Sequence, residues 1–257
     1  MSDLKHPGRR RFLARAAGGI GGLVLGGCDR LSDNLEFTKL LKSAEALSRF
    51  AQRMAVGRTA LAREYGEADL SAEFRANGTT EPSDPEYQRL AQSEFADWRL
   101  AVGGLAERPR SFSLTALKEL PSRTQITRHD CVEGWSCIGK WKGLRLAALL
   151  DLVAPQREAR YVVFYCADAM NLSGDKYYES IDLDGAYHPQ TILAYEMNDR
   201  TLPIAHGAPL RLRDERQLGY KMAKYIMRIE LVADFGHIGD GNGGYWEDQG
   251  YEWWAGI

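Results

Sequence analysis

The sequence runs to 257 residues, 44% of them hydrophobic and 10% aromatic, enough to bury one large core or two small ones. Its 33 Lys and Arg stand against 35 Asp and Glu, a formal charge of −2, so no global field draws it to nucleic acid and no nucleic-acid partner is expected. No run of ~18 apolar residues follows the N-terminal region, so no second membrane span is expected.

The chain opens with Arg9-Arg10-Arg11-Phe12-Leu13, a basic segment of twin-arginine type, followed by a short Gly/Ala-rich apolar stretch from Ala16 to Gly27. Residues 1–28 therefore read as an export signal, which places the protein in the periplasm. Leu25-Gly26-Gly27-Cys28 has the form of a lipobox, so a lipidated Cys28 would hold the protein at the membrane, and Asp29 resembles an inner-membrane retention signal. The plainer alternative is an ordinary secretory signal with Cys28 incidental.

Residues 29–72 read as an N-terminal helical segment. Asp33 and Glu36 form a capping box, Leu40, Leu41, Ala44, Leu47, Ala51 and Met54 recur at helical spacing, and Gly66 is placed to stop a helix over 33–65. A polar stretch over 66–94 carries a short helix near Glu86–Phe95. From there on, strands are predicted at 98–102, 125–127, 161–165, 191–195, 210–213 and 226–232. Short helices are predicted from Ser113 and from Leu144 to Val153, with Asn198-Asp199 as a turn. Strands and short helices mix without a regular βαβ period, so residues 73–257 are expected to form one α+β domain.

The four cysteines are Cys28, Cys131, Cys137 and Cys166. A lipidated Cys28 leaves three, an odd number in an oxidising compartment. One disulfide with a free thiol accounts for that count, and so does one cysteine kept as a ligand to a soft metal. No C-x-x-C pair and no zinc-type ligand cluster occurs.

The stretch Arg128-His129-Asp130-Cys131-Val132-Glu133-Gly134-Trp135-Ser136 resembles the metal-ligand loop of the molybdopterin-dependent sulfite oxidase family, on the bacterial branch that includes methionine sulfoxide reductases. Two further segments agree in order and spacing. One is Leu193-Ala194-Tyr195-Glu196-Met197-Asn198 with Leu202-Pro203 and His206-Gly207-Ala208-Pro209-Leu210-Arg211; the other is Gly219-Tyr220-Lys221 with Lys224. The resemblance covers about residues 74–235. It implies a sulfite-oxidase-type fold, a Mo-molybdopterin cofactor, and Cys131 as the metal ligand in thiolate form. It also implies cofactor contacts from Asn77, His206, Arg211, Met222, Ala223 and Lys224, an active-site tyrosine at Tyr177, and a position near the site for Cys166, where that branch has a threonine. Arg128 and His129 are expected to favour the Cys131 anion. Glu133, if buried, would carry protons; otherwise it is a carboxylate that holds the loop.

The chain also departs from the family. Sulfite oxidases follow the ligand cysteine with a basic pair that helps bind sulfite, whereas here Val132-Glu133-Gly134 brings an acid, which favours neutral S- or N-oxides over an anion. The family's immunoglobulin-like domain and a haem domain are not expected, so electrons would pass through a separate membrane or periplasmic cytochrome. The aromatic tail from Gly239 to Ile257 reads as packing over the fold, or as a docking surface. Beside a molybdenum oxidoreductase stand two other readings: a cofactor-less lipoprotein binding module, and a structural subunit of a membrane redox complex.

Overall fold

Among the described residues, ten strands fall into two sheets of five. In chain order they are β1 (Arg99–Gly104), β2 (Arg110–Ser113), β3 (Ser122–Asp130), β4 (Ser136–Arg145), β5 (Tyr161–Ala169), β6 (Lys176–Asp182), β7 (Ile192–Met197), β8 (Arg200–Thr201), β9 (Arg211–Arg213) and β10 (Ile226–Val232). The first sheet has the order β2-β1-β10-β5-β6, in which only the β1–β10 pair is parallel. The second runs β3-β4-β7-β8, with β9 also paired to β7. Among the residues described from Gly57 onward, five short helices accompany them: α1 (Pro85–Gln92), α2 (Leu114–Lys118), α3 (Leu146–Val153), α4 (Leu183–Ala186) and α5 (Tyr245–Asp248). This is the expected α+β architecture, seen in a computed structural model that describes residues 47, 48, 50, 51, 57, 59–171 and 173–257.

Local chemistry explains the elements. Asp84 caps α1 by accepting from Tyr87 N, and Pro85 fills its first position, where no N–H is missed. Ser113 caps α2 through Ala116 N at 3.1 Å. In α3, Leu146, Leu149, Leu150 and Val153 occupy one face and are all fully buried, each contributing roughly 1.5–3 kcal/mol. Asn198 and Asp199 both have positive φ, at 50° and 60°, which matches the twist of the β7–β8 hairpin they join.

One apolar core draws side chains from both sheets: Leu100 and Val102 of β1, Val162 and Phe164 of β5, Ile226, Ile229 and Leu231 of β10, and Leu193 and Tyr195 of β7. On the opposite face of β7, Ile192, Ala194 and Met197 pack with Phe74, Trp141 and Leu202 in a smaller cluster. β7 is thus covered on both faces, as its unbroken apolar run suggests.

The chain divides into two compact units, Met1–Gln52 and Arg53–Ile257, and every element named above lies in the second. The export signal, the lipobox and most of the predicted N-terminal helix lie outside the described residues. Leu47, Ser48, Phe50 and Ala51 are helical, but the helix expected to reach residue 65 does not, since Glu64 forms a β-bridge with Thr127 and Tyr65 N donates to Ile126 O at 2.9 Å. Backbone pairing along the free edge of β3 takes those residues from the helix. The second unit accordingly starts about twenty residues earlier than the boundary at 73. Four strands, β2, β4, β6 and β8, were not among the predicted elements, and Leu144 and Arg145 close β4 instead of opening α3.

Candidate active site

Cys131 sits where β3 ends. Its N–H donates to Trp135 O at 3.0 Å and its carbonyl accepts from Gly134 N at 3.0 Å, closing a tight turn in which Gly134 takes φ +84°. That turn aims Cys131 into a cavity also lined by Asn77, Glu133, Tyr177, Met222 and Lys224, six positions named from the sequence and here brought together. Thr79, Asp168, Met170, Gly219, Trp246 and Tyr251 complete much of the wall. The other named residues stand back from it. Cys166 and Ala223 are buried in the main core, Arg211 is fully buried on β9, and His206 is half-buried in a 3-10 turn with its ring against Phe74.

Cys131, Cys137 and Cys166 are all free, so no disulfide joins Cys131 to Cys137. Among the described residues no group of three or more His, Cys, Asp or Glu converges as a metal cage, so Cys131 stands as a lone soft donor. Its expected electrostatic help is missing. Burial pushes the Cys131 thiol up, and the backbone N–H of Glu133 opposes this while the Glu133 charge adds to it. Arg128 is spent on Asp130, and burial together with Arg213 and Arg211 drives His129 well below its ordinary value, leaving it neutral. Only a cation bound at the sulfur would make the thiolate the preferred form.

Glu133 is not buried: more than half its side chain is exposed, its Oε2 accepts from Trp135 Nε1 at 2.9 Å, and Arg75 lies 3.9 Å away. The desolvation that a proton-carrying role requires is therefore absent, and Glu133 holds the loop at the cavity's rim. Tyr177 is fully enclosed. Its hydroxyl donates to Tyr220 O and lies 3.3 Å from Glu179 Oε2, and burial raises its pKa far enough that it stays protonated.

Behind Lys224 lies a cluster of cationic groups with few anions. Lys224 Nζ donates to three carbonyls, Asn77 O at 2.5 Å, Thr79 O and Ala205 O at 3.4 Å, yet burial and Arg211 lower its pKa to about 7. Burial and Arg213 lower Arg211 to about 9, while burial, Arg211 and Lys224 lower His206 to about 4. Arg213 alone has a close carboxylate, Glu215. Arg211 Nε and Nη2 and His129 Nε2 are buried without a partner. Gly207 lies at φ +110° between Lys224 and Arg211, where a Cβ would come within 2.9 Å of one and 3.1 Å of the other. Buried cations that depress one another, with donors unspent, are what an anionic group such as a pterin phosphate would complete. The residues present fit that cofactor.

Sequence reasoning missed the tail's part in the site. Trp246 and Tyr251 form part of the cavity wall, and Glu247 is buried against Lys221. The clustered tail aromatics were a signal of packing; which wall they build depends on chain reversals that no local pattern encodes.

A family model described as an oxidoreductase molybdopterin binding domain matches residues 87–235. A putative protein-methionine-sulfoxide reductase subunit of Azospira oryzae is 39% identical, over 98% of this chain and 89% of its own. The protein-methionine-sulfoxide reductase catalytic subunits of Xanthomonas axonopodis pv. citri and Ralstonia nicotianae are each 36% identical, over 60% and 52% of this chain, which spans 50% and 44% of their lengths. Among solved structures, the sulfane dehydrogenase SoxCD of Paracoccus pantotrophus overlaps 54% of this chain and 39% of its own, at 21% identity and a TM-score of 0.48, too partial a likeness to carry an inference.

Proposed function

The chain belongs to the oxidoreductases with a molybdopterin-binding domain, and from that premise we propose that it reduces S-oxides, methionine sulfoxide in polypeptides foremost, at a molybdenum centre held by Cys131. The observation that carries the reading is Cys131 turned into a cavity whose far wall is Lys224, backed by buried cations with unspent donors. The substrate class rests on the names of the Azospira, Xanthomonas and Ralstonia relatives and on the cavity's rim. Val132 and Tyr251 are exposed there beside Trp246 and Met170, a surface that suits a thioether-like side chain presented on a chain, while Glu133 repels anions such as sulfite.

When bound, the molybdenum–pterin group supplies two-electron chemistry coupled to oxygen-atom transfer. The protein's part is binding, orientation and proton supply. Lys224 and Arg211 would meet the cofactor's anionic end, with Asn77 and the backbone at Met222 and Ala223 beside it; Cys131 supplies the soft donor. Tyr177 holds its proton inside the cavity. Reduction of a sulfoxide consumes two electrons and two protons and releases water. Electrons come from a separate partner of the cytochrome class, in keeping with the word "subunit" in the relatives' names. The N-terminal motifs support export and a periplasmic site of action at the inner membrane, with lipidation of Cys28 as the anchor. The test is protein purified from a host that makes molybdopterin. One Mo and one pterin per chain, with dye-driven reduction of methionine sulfoxide and no sulfite oxidation, is expected; Mo-free protein from such a host would refute the reading.

A further inference from the structure

Lys221, Glu179 and Glu247 meet with none of their side chains exposed, Lys221 Nζ donating to an oxygen of each carboxylate. They come from three separate elements: the 3-10 turn Gly219–Lys221, β6 and α5. Two carboxylates share one ammonium. Full ionisation would leave a bare negative charge where water does not reach, a state that costs several kcal/mol and that a single retained proton avoids. Burial and the charge of Glu247 raise the Glu179 pKa well above the carboxylate range, and Lys221 only partly opposes them. A neutral acid needs an acceptor for its O–H: Glu179 Oε2 has the Tyr177 hydroxyl at 3.3 Å, whereas Glu247 Oε2 is buried with no partner, so the retained proton belongs to Glu179. The other titratable groups near it are Tyr177 on its own strand, Cys166 from β5, and the Tyr178–Asp248 pair toward the tail.

The two oxygens of Glu179 differ. Oε1 accepts from Lys221 Nζ and from Ser180 N at 2.7 Å, while Oε2 faces the Tyr177 hydroxyl at 3.3 Å. Oε2 is therefore where the proton sits, and it faces Tyr177, which lines the cavity. The geometry points to Glu179 as a proton store that feeds the active site through Tyr177. This rests on the function proposed above, which requires two protons per turnover.

The balance is simple. The Tyr177 O–H bond breaks as its proton passes to the oxygen leaving the substrate. The Glu179 O–H bond breaks as Tyr177 takes that proton, and Glu179 remains as a carboxylate paired with Lys221 until it is reprotonated from solvent. The second proton enters through the open mouth, and the two electrons come from the separate cytochrome-class donor. Glu179 acts through Tyr177, so it is a positioning residue; Tyr177 lines the cavity and gives up its bond to Tyr220 O as it donates.

The competing role for the triad is structural, pinning the tail that carries Trp246 and Tyr251. Glu179→Gln and Glu247→Gln in the cofactor-loaded protein separate the two. Glu179→Gln removes the transferable proton and leaves Lys221 paired with Glu247. We expect kcat to fall by roughly 10²-fold, the low end of what general acid–base assistance contributes, with KM unchanged and the alkaline limb of the pH–rate profile lost. Glu247→Gln removes the like charge, so Glu179 ionises more readily and the limb moves to lower pH. An infrared carbonyl band from a buried neutral carboxylic acid should be present in the parent protein at neutral pH and absent in Glu179→Gln. Absence of that band in the parent overturns the proposal whatever the activity, as do variants that lose only stability with an unshifted pH profile. A parent protein that carries Mo and the band but reduces no S-oxide would instead refute the function proposed above.

Discussion

Lys224 gives the cofactor-free protein an unusual dependence on pH. Its ammonium titrates at its ordinary 10.5 in the unfolded chain and at about 7 in the fold. Between those values the unfolded state binds more protons, so stability rises with pH, the reverse of a lysine held in a salt bridge. The penalty is complete below pH 7 and is relieved as pH climbs from there. Integrated from pH 7 to 8.5, the gain is about 1.5 kcal/mol, or roughly 3–6 °C in Tm for a domain of this size. Other groups move in the same window: burial keeps Glu179 protonated into it, which opposes the gain, and His129, His188 and His206, all lowered by burial in the fold, finish titrating at its acid end in the unfolded chain. The Lys224 contribution is therefore read as the difference between the parent and a variant without the ammonium, with Arg211 at about 9 adding only beyond the window. The assay is thermal unfolding of Mo-free protein across the window, beside Lys224→Met. The stability of the parent relative to Lys224→Met should rise by about 1.5 kcal/mol across the window in Mo-free protein, and cofactor-loaded parent should lack that contribution, because an anion beside Lys224 restores its charge. Parallel pH profiles for Mo-free parent and Lys224→Met would refute the reasoning.

Cys131→Ser should abolish Mo retention and S-oxide reduction while shifting the Tm of the apo protein by less than about 3 °C, because no disulfide worth ~2–4 kcal/mol is lost; Cys137→Ser should leave both intact. Gly219→Ala should lower the unfolding free energy from urea titration by about 1–3 kcal/mol and reduce Mo content, since its Cβ would fall 2.4 Å from the ring of His129, which is fully buried and cannot yield; an unchanged unfolding free energy would show that the Cys131 strand end has more room than this. Trp246→Ala with Tyr251→Ala should raise KM for peptide-bound methionine sulfoxide and leave kcat nearly constant, read from steady-state kinetics on peptide and free amino acid; a fall in kcat alone would contradict a binding role for that wall.

The sequence made some of this fold plain and concealed the rest for physical reasons. β5, β7, β10 and α3 carry long apolar runs or a leucine face, and their burial follows directly. β4 shows nothing of the kind, because its buried positions include Gly139, Trp141 and Gly143, while Lys140 and Lys142 are less enclosed. The glycines are there for clearance: a Cβ at Gly139 would meet Phe74 at 2.9 Å, and one at Gly143 would meet the Leu193 backbone at 2.2 Å. A strand whose inner face is defined by missing side chains is invisible to hydrophobic alternation. The Cys131 cavity was legible because its residues lie in ordered motifs. The Lys221–Glu179–Glu247 triad was not, since its members are 26 and 42 residues apart and each alone looks like a surface charge.

The strand order of the first sheet also governs how this chain reaches its fold. β10, the last strand made, is the one that joins β1 in parallel to β5, so the β2-β1 and β5-β6 hairpins remain separate fragments with open edges until residue 232 is in hand. Contacts of such wide sequence separation are slow to form, and the ordering entropy comes due before they reward it. Residues 211–224, which build the cationic end of the cavity, lie immediately ahead of that strand. Sheet closure and completion of the pocket are therefore one event, and a growing polypeptide cannot hold the cofactor until that strand has been made.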